Sequence, residues 1–114
     1  MATTSTTTTN ARGIKYDEGK LRYDLIPTYP LATLAAVYTK GAEKYEANNW
    51  RKGLEWNRVF AALQRHAWAY WGGEDKDEET GLHHLAHAAW CCLTLIEYAR
   101  MGTGLDNRHD IPHP

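Results

Sequence analysis

A short segment of this 114-residue chain concentrates side chains that could bind a divalent cation. Residues 73–87 read G-E-D-K-D-E-E-T-G-L-H-H-L-A-H, a run of carboxylates followed by three histidines. Carboxylate oxygens and imidazole nitrogens are the ligand types that divalent metals recruit. The acidic run lies between glycines, which predicts a loop, whereas the histidines open an apolar helical stretch. The segment therefore predicts a metal site where a loop meets the start of a helix, an end that also favours phosphate.

The spacing of the histidines supports this prediction. His84 and His87 are three residues apart, and His83 and His87 are four apart, so either pair projects from one face of a helix. An acidic run that merely solvates a surface and complements a helix dipole is the alternative for the loop. Ordinary helix-surface or core residues are the alternative for the histidines.

Three helices are needed to position these side chains. Apolar residues at three- and four-residue steps predict helices over about 30–46 and 56–71, and a third helix that Thr80 caps and that runs to about residue 101. No strand signal or internal repeat is present, so the predicted fold class is all-α. The residues predicted to face inward are Leu31, Leu34, Ala35, Tyr38, Ala42 and Tyr45, then Trp56, Phe60, Leu63, Ala67 and Tyr70, then Leu82, Leu85, Ala89, Leu93 and Ile96.

The rest of the chain is predicted to be less regular. Residues 1–12 are a threonine-rich tail of low complexity, predicted to be disordered. Residues 13–101 form the domain, including an extended or looped arm at 13–27 that alternates charged and apolar side chains. Residues 102–114 form a polar C-terminal tail. Helices with five tryptophans offer more apolar surface than one thin layer buries, so we expect oligomerisation to complete the fold.

Composition limits the classes of function. The net charge of −1 gives no basic excess for a nucleic-acid surface, although a free nucleotide needs only a few local cations. Cys91 and Cys92 are adjacent and cannot readily bridge, so they are interpreted as reduced core thiols of a cytoplasmic protein. No apolar run approaches a membrane span, and no signal peptide is recognised.

Three blocks of the sequence together resemble a known family. They are G-I-K-Y-D-E-G-K-L-R-Y-D-L-I-P at 13–27, G-A-E-K-Y-E-A-N-N-W-R-K-G at 41–53, and R-H at 65–66 followed by the acidic and histidine-rich segment. In this order they are similar to the MazG-like nucleotide pyrophosphohydrolases of phages, and most closely to the dATP/dGTP diphosphohydrolase (MazZ-type) group. The resemblance implies a helical, metal-dependent, oligomeric enzyme that cleaves the α–β bond of a nucleoside triphosphate. The products would be a monophosphate and pyrophosphate.

The resemblance also suggests metal ligands. The wider superfamily carries E-x-x-E followed at a distance by E-x-x-D, which this chain matches with Glu43-x-x-Glu46 and Glu74-x-x-Asp77. The second pair falls in the predicted loop, while the helix that should carry it presents His84 and His87, so loop carboxylates and histidines remain alternative ligands. Carboxylates suit Mg²⁺ or Mn²⁺, and imidazole shifts the preference toward Mn²⁺ or Co²⁺. The leading ligands are Asp77, Glu79, His84 and His87, followed by Glu43, Glu46 and Glu74.

Other residues are candidates for catalysis or substrate binding. His66 is a further ligand or a general base, and Glu79 is the second catalytic candidate. Arg65 either holds a phosphate or pairs with the acidic loop. Trp50 either stacks on a base or, more commonly for such a residue, packs in the core. The predicted substrate-binding residues are Lys15, Lys20, Arg22, Lys44, Asn49, Trp50 and Arg65, the first three on an arm that could close over a triphosphate or pack on a neighbouring subunit.

The sequence thus predicts a metal-dependent hydrolase that converts dGTP and dATP to monophosphate and pyrophosphate during remodelling of the nucleotide pool. Two alternatives are a non-catalytic nucleotide-binding module and a metal-dependent phosphohydrolase that cleaves a different phosphate bond. The expected partners are the purine deoxynucleotide and further copies of the chain, as a homodimer or homotetramer, without a membrane or nucleic acid. The expected location is the cytoplasm, of the host if the gene is carried by a phage.

Overall fold

The computed structural model describes residues 11–108. Most of the predicted N-terminal tail and residues 109–114 lie outside the described part. Over the described range the chain forms helices and no strand, so the predicted all-α class is confirmed. The elements in chain order are a 3₁₀ turn at Tyr23–Leu25, α1 at Thr28–Lys44, a second 3₁₀ turn at Asn49–Lys52, α2 at Trp56–Trp71 and α3 at His84–Met101.

Helix α3 is the centre of the fold, because α1 and α2 both pack on it. The core lies mainly between α2 and α3, where Trp56 and Val59 meet Cys91 and Tyr98. Burial of such side chains contributes roughly 1.5–3 kcal/mol each. None of the helices formed by residues 11–108 is long and apolar enough to cross a membrane.

The predicted start of the third helix is wrong. Thr80 does not cap α3, which begins four residues later at His84. The reason is Gly81, whose φ of +74° lies in the left-handed region and breaks any helix that passes through it. His83 is the cap instead, because its Nδ1 accepts a hydrogen bond from the Leu85 backbone N–H at 3.0 Å. The predicted bounds of α2 match the structure, and α1 begins and ends two residues before its prediction.

The predicted inward face of α3 is also wrong for the single chain. Leu85, Leu93 and Ile96 are exposed, the last by 67%. The buried positions of the helix belong to other faces and include Thr94 and Tyr98, both fully buried. Helix α3 is apolar around much of its circumference, and α1 and α2 pack on two of its sides. The spacing of apolar residues therefore could not predict which face of α3 these helices leave exposed.

The other two predicted stripes hold in part. On α2, Trp56 is buried as predicted, but Phe60 is 50% exposed and Val59 takes its place in the core. On α1, the predicted inward residue Tyr45 is 61% exposed, whereas Val37 is buried. The interpretation of both cysteines as core thiols fails for Cys92, which is exposed, and holds for Cys91, where burial raises the pKa of the thiol to about 11.

The segment after α3 returns to the start of α2. The Trp56 indole N–H donates to the Thr103 carbonyl at 2.8 Å, and the Trp56 backbone N–H donates to the Leu105 carbonyl at 2.9 Å. Gly104 permits this approach, because its φ is +77° and a Cβ there would collide with the Leu54 carbonyl oxygen. The beginning of the predicted C-terminal tail therefore closes one end of the α2–α3 core.

Candidate metal centre

The acidic loop between α2 and α3 is held by backbone hydrogen bonds. The Glu74 N–H donates to the Ala69 carbonyl at the end of α2, and the His84 N–H donates to the Asp75 carbonyl at 2.9 Å. Inside the loop the Asp77 N–H donates to the Leu82 carbonyl at 2.8 Å. The loop thus returns on itself and brings the Glu74 and Asp77 carboxylates close to the first turn of α3.

Asp77 is fixed by a tight turn with Thr80. Its Oδ2 accepts from the Thr80 N–H at 3.0 Å and lies 3.1 Å from the Thr80 hydroxyl. Partial burial, the largest single influence, would raise the pKa of Asp77. The hydrogen bonds from Thr80 and the charges of His87 and His66 outweigh it, so the pKa lies below its ordinary value. Asp77 is therefore an ionised carboxylate with a set orientation at neutral pH.

Two histidines from different helices meet beside this carboxylate. His66 of α2 and His84 of α3 approach with their Nδ1 atoms 2.9 Å apart. On its other side, His84 Nε2 lies 2.9 Å from Oε1 of Glu74. His84 is only 5% exposed, so a buried imidazole is held between a carboxylate and a second imidazole.

A third histidine supports this pair. The His87 ring stacks on the His66 ring, with centroids 4.6 Å apart and planes inclined by 11°. Its Nε2 lies 2.7 Å from the Thr80 hydroxyl, which joins His87 to the Asp77 turn. Burial, followed by the charge of His87, lowers the pKa of His66. Burial also lowers the pKa of His87, against the opposing effect of Asp77. Both rings are therefore neutral at neutral pH, the form in which imidazole binds metals.

The arrangement gathers donors suited to a metal ion. One ligand-type atom each from His66, Asp77 and His84 lies within 4.8 Å of the other two. Three protein donors around an ion would leave coordination positions for water or substrate, as in catalytic metal sites. A cation there would also attract phosphate oxygens.

Comparison with known proteins shows which family the chain belongs to. The family model for "dATP/dGTP diphosphohydrolase, N-terminal" matches residues 10–108. The chain belongs to this family. A curated relative, the "dATP/dGTP diphosphohydrolase" of Salmonella phage PMBT28, is 43% identical over 77 residues. These residues are 68% of this chain and 26% of the relative, so the chain spans about a quarter of the length of the curated relative that it matches.

No solved structure matches the chain. The resemblance to the dATP/dGTP diphosphohydrolase group that the three sequence blocks predicted is confirmed by the family model and by the relative.

For this member of the dATP/dGTP diphosphohydrolase N-terminal family, the structure brings together only part of the predicted ligand set. Asp77 and His84 converge, and His66 joins them from α2. Glu74 and His87 bind members of that group through hydrogen bonds or ring stacking.

The carboxylates of the first predicted motif lie elsewhere on the surface. Glu46 pairs with Lys52 at 2.7 Å, and both side chains are largely exposed. Glu43 is exposed and lines a shallow depression with Leu82. Glu79 is exposed, with a carboxylate oxygen 3.5 Å from Lys44 Nζ. The metal-binding and catalytic roles of these three glutamates stay predictions.

The predicted substrate-binding residues occupy several surfaces. Arg65 is exposed next to His66, and the described residues place no acidic group within ion-pair distance of it. Trp50 packs against Tyr38, Trp90 and Tyr98, as its core-packing alternative requires. The substrate roles stay predictions for these two residues and for the others, which are Lys15, Lys20 and Arg22 on the exposed arm, Lys44 at the end of α1, and Asn49 on the second 3₁₀ turn.

The role of Thr80 was missed at the sequence level. Its hydroxyl and backbone N–H join Asp77 to His87 instead of capping a helix. The signal was present, because an aspartate followed three residues later by threonine, with a glycine next, is typical of a side-chain-capped turn.

Proposed function

We propose that this chain contributes the metal centre of a diphosphohydrolase that converts dGTP and dATP to the monophosphate and pyrophosphate, a step that remodels the nucleotide pool. The observation that carries the proposal is the convergence of His66, Asp77 and His84 in a member of this family. The name of the phage relative supports the substrate class. Dependence on a divalent cation, Mg²⁺, Mn²⁺ or Co²⁺, follows from the donor types.

The proposed reaction is attack of water on the α-phosphorus. The bond between that phosphorus and the α–β bridging oxygen breaks, and pyrophosphate leaves with the bonding electrons. A bound divalent cation would neutralise phosphate charge and acidify the attacking water. The proton of the water requires a base, and Glu79 is our candidate because its exposed carboxylate lies close enough to influence the pKa of His87.

Cations beside the centre are suited to the leaving phosphates. Lys44 lies at the rim through its contact with Glu79, and Arg65 is next to His66 on α2. A guanidinium binds phosphate oxygens in pairs, whereas an ammonium acts as a point charge. We propose that these two residues hold the β- and γ-phosphates, that the arm cations Lys15, Lys20 and Arg22 close over them, and that Asn49 contacts the base.

The donor set also favours a second candidate. Two imidazoles and one carboxylate differ from the all-carboxylate pattern of the wider superfamily, and such mixed sets serve phosphohydrolases of several kinds. A metal-dependent phosphohydrolase that releases triphosphate or orthophosphate is therefore the competing function. A non-catalytic nucleotide-binding module would bind the same nucleotides without turnover.

Product analysis separates these functions. The chain is incubated with each dNTP and with Mg²⁺, Mn²⁺ or Co²⁺, and the products are resolved by chromatography. We expect monophosphate and pyrophosphate from dGTP and dATP, and loss of activity with a chelator. Free triphosphate, or orthophosphate with a diphosphate, would refute the bond assignment, and binding without turnover would support the non-catalytic module.

A pair of matched variants tests the site in the same assay. Asp77→Asn retains the shape of the side chain and an acceptor for the Thr80 N–H but removes the charge, so we expect activity to fall at least tenfold, as for loss of a metal-site interaction. Asp17→Asn makes the same chemical change on the exposed arm and should leave activity near wild type. Equal activity in the two variants would remove Asp77 from the mechanism.

We also propose that the chain assembles as a homodimer or homotetramer. Leu85, Leu93 and Ile96 of α3 form an exposed apolar stripe without a charged residue between them on that face. Contiguous apolar surface of this kind is typical of an interface.

A further inference from the structure

We infer that this chain binds one transition-metal ion through His66 Nδ1, His84 Nδ1 and one carboxylate oxygen of Asp77, with Glu74 as the positioning residue for His84. The inference deepens the proposed function, on which it rests for the use of the metal in nucleotide hydrolysis. The ligand set differs from the carboxylate motif of the wider superfamily, because only one of its three members is acidic.

The distances between the donor atoms fit a single ion. Ligands placed about 2.1 Å from one metal in a tetrahedral arrangement lie roughly 3–3.5 Å from one another. The two Nδ1 atoms are 2.9 Å apart, and all three donors lie within 4.8 Å of one another. Small shifts of side chains therefore suffice to bring them around one ion.

The hydrogen bond between Glu74 and His84 sets the tautomer that binding requires. An ionised carboxylate only accepts, so His84 donates through Nε2–H to Glu74 at 2.9 Å. A neutral imidazole that carries its proton on Nε2 has a lone pair on Nδ1, and this atom is the one directed at His66. Carboxylate–histidine–metal arrangements of this kind orient the ligand and increase its basicity.

The surroundings also fix the two other ligands. Without metal, His66 donates through Nδ1–H to Nδ1 of His84. If this proton moves from Nδ1 to Nε2 of His66, the Nδ1 atom of His66 also has a free lone pair, and the charge of the ring does not change. The stacked ring of His87 holds the plane of His66, and Thr80 holds Asp77 through Oδ2. His87 directs Nε2 at the Thr80 hydroxyl, so we assign it a supporting position outside the ligand set.

The donor types determine which ions bind well. Mg²⁺ prefers near-octahedral oxygen coordination and retains its water, whereas imidazole suits ions such as Co²⁺, Mn²⁺, Ni²⁺ and Zn²⁺. Two nitrogens and one oxygen thus select against Mg²⁺. Three protein ligands leave open positions for water and for phosphate oxygens.

Cobalt binding to the full chain, without nucleotide, tests the site independently of activity. We expect one Co²⁺ per chain by calorimetry, with visible absorption bands of a low-coordinate cobalt ion, and at least tenfold weaker binding of Mg²⁺. Absence of Co²⁺ binding, more than one ion per chain, or equal affinity for Mg²⁺ would overturn the inference.

Variants test the roles assigned to His66 and Glu74, with circular dichroism as the check of folding. His66→Gln should abolish the cobalt bands. Glu74→Gln should retain the bands but weaken affinity roughly 10–100-fold, as for loss of an orienting carboxylate, and Glu74→Asp should restore part of it. Glu78→Gln is the matched control in the same loop, and its affinity should stay within about threefold of wild type, because the Glu78 side chain is exposed and is not one of the converging donors.

Three outcomes would contradict the assignments. Equal affinity of Glu74→Gln and Glu78→Gln would remove the positioning role of Glu74. Loss of the cobalt bands in His87→Gln but not in His66→Gln would show that His87, and not His66, is the ligand. The cobalt-binding assay contains no nucleotide, so it is independent of hydrolysis. Co²⁺ binding as described without hydrolysis of dNTPs would support this inference and refute the proposed function. Hydrolysis in a His66→Gln variant would leave the function and refute the ligand set.

Discussion

Removal of one hydroxyl group from the core should measurably destabilise the domain. The Tyr98 side chain is fully buried on α3, and its hydroxyl donates to the Trp50 carbonyl at 2.6 Å. This hydrogen bond ties the second 3₁₀ turn to α3. Tyr98→Phe retains the ring and its packing but leaves the Trp50 carbonyl without that donor.

The expected decrease in the free energy of unfolding can be estimated from the loss of the Tyr98 hydroxyl alone. The Trp50 carbonyl also accepts from the Gly53 N–H at 3.1 Å, so the change removes one of its two hydrogen bonds, a net loss of about 0.5–1.5 kcal/mol. Because the ring remains, the cavity that a Tyr→Ala change would create is avoided. In a domain of this size, 1 kcal/mol corresponds to roughly 4–8 °C in the midpoint of thermal unfolding. Tyr98→Phe should therefore lower the midpoint by about 2–12 °C.

Urea unfolding followed by tryptophan fluorescence and by circular dichroism measures the difference. Tyr29→Phe is the matched control, because Tyr29 is 79% exposed and the same hydroxyl is removed. Its free energy of unfolding should stay within about 0.5 kcal/mol of wild type. If Tyr98→Phe is no less stable than Tyr29→Phe, the bond to Trp50 does not stabilise the fold and the reasoning is refuted.

Two further predictions concern acid stability and assembly. Hydrogen bonds from Arg100 and, to a smaller extent, from Arg51 lower the pKa of Glu97 from 4.5 to about 2. The ionised Glu97 side chain therefore stabilises the folded chain above pH 4.5, and this contribution is lost as the pH falls toward 2. The stability difference between wild type and Glu97→Gln should shrink across that window in thermal unfolding, and a constant difference would contradict the ion pairs as its source. Ile96→Glu places a charge in the exposed stripe of α3 and should convert an oligomer to a monomer in light scattering with unchanged helicity, whereas a monomeric wild type would refute the proposed assembly.

The sequence alone predicted the elements and the region of the site. Apolar spacing defined three helices, with the bounds of α2 at Trp56 and Trp71 as observed. The types of residue between 73 and 87 indicated the region where carboxylate and imidazole groups converge. These properties depend on local spacing and on composition, which are visible in one dimension.

Tertiary structure decided which donors meet and which helix faces are covered. His66 and His84 are 18 residues apart in sequence, and only the packing of α2 on α3 brings their Nδ1 atoms within 2.9 Å. The left-handed conformation of Gly81 moved the start of α3, and Thr80 was left to join Asp77 and His87. The free face of α3 was set by where α1 and α2 pack, because a helix that is apolar on several sides does not specify by its own sequence which side its neighbours will cover.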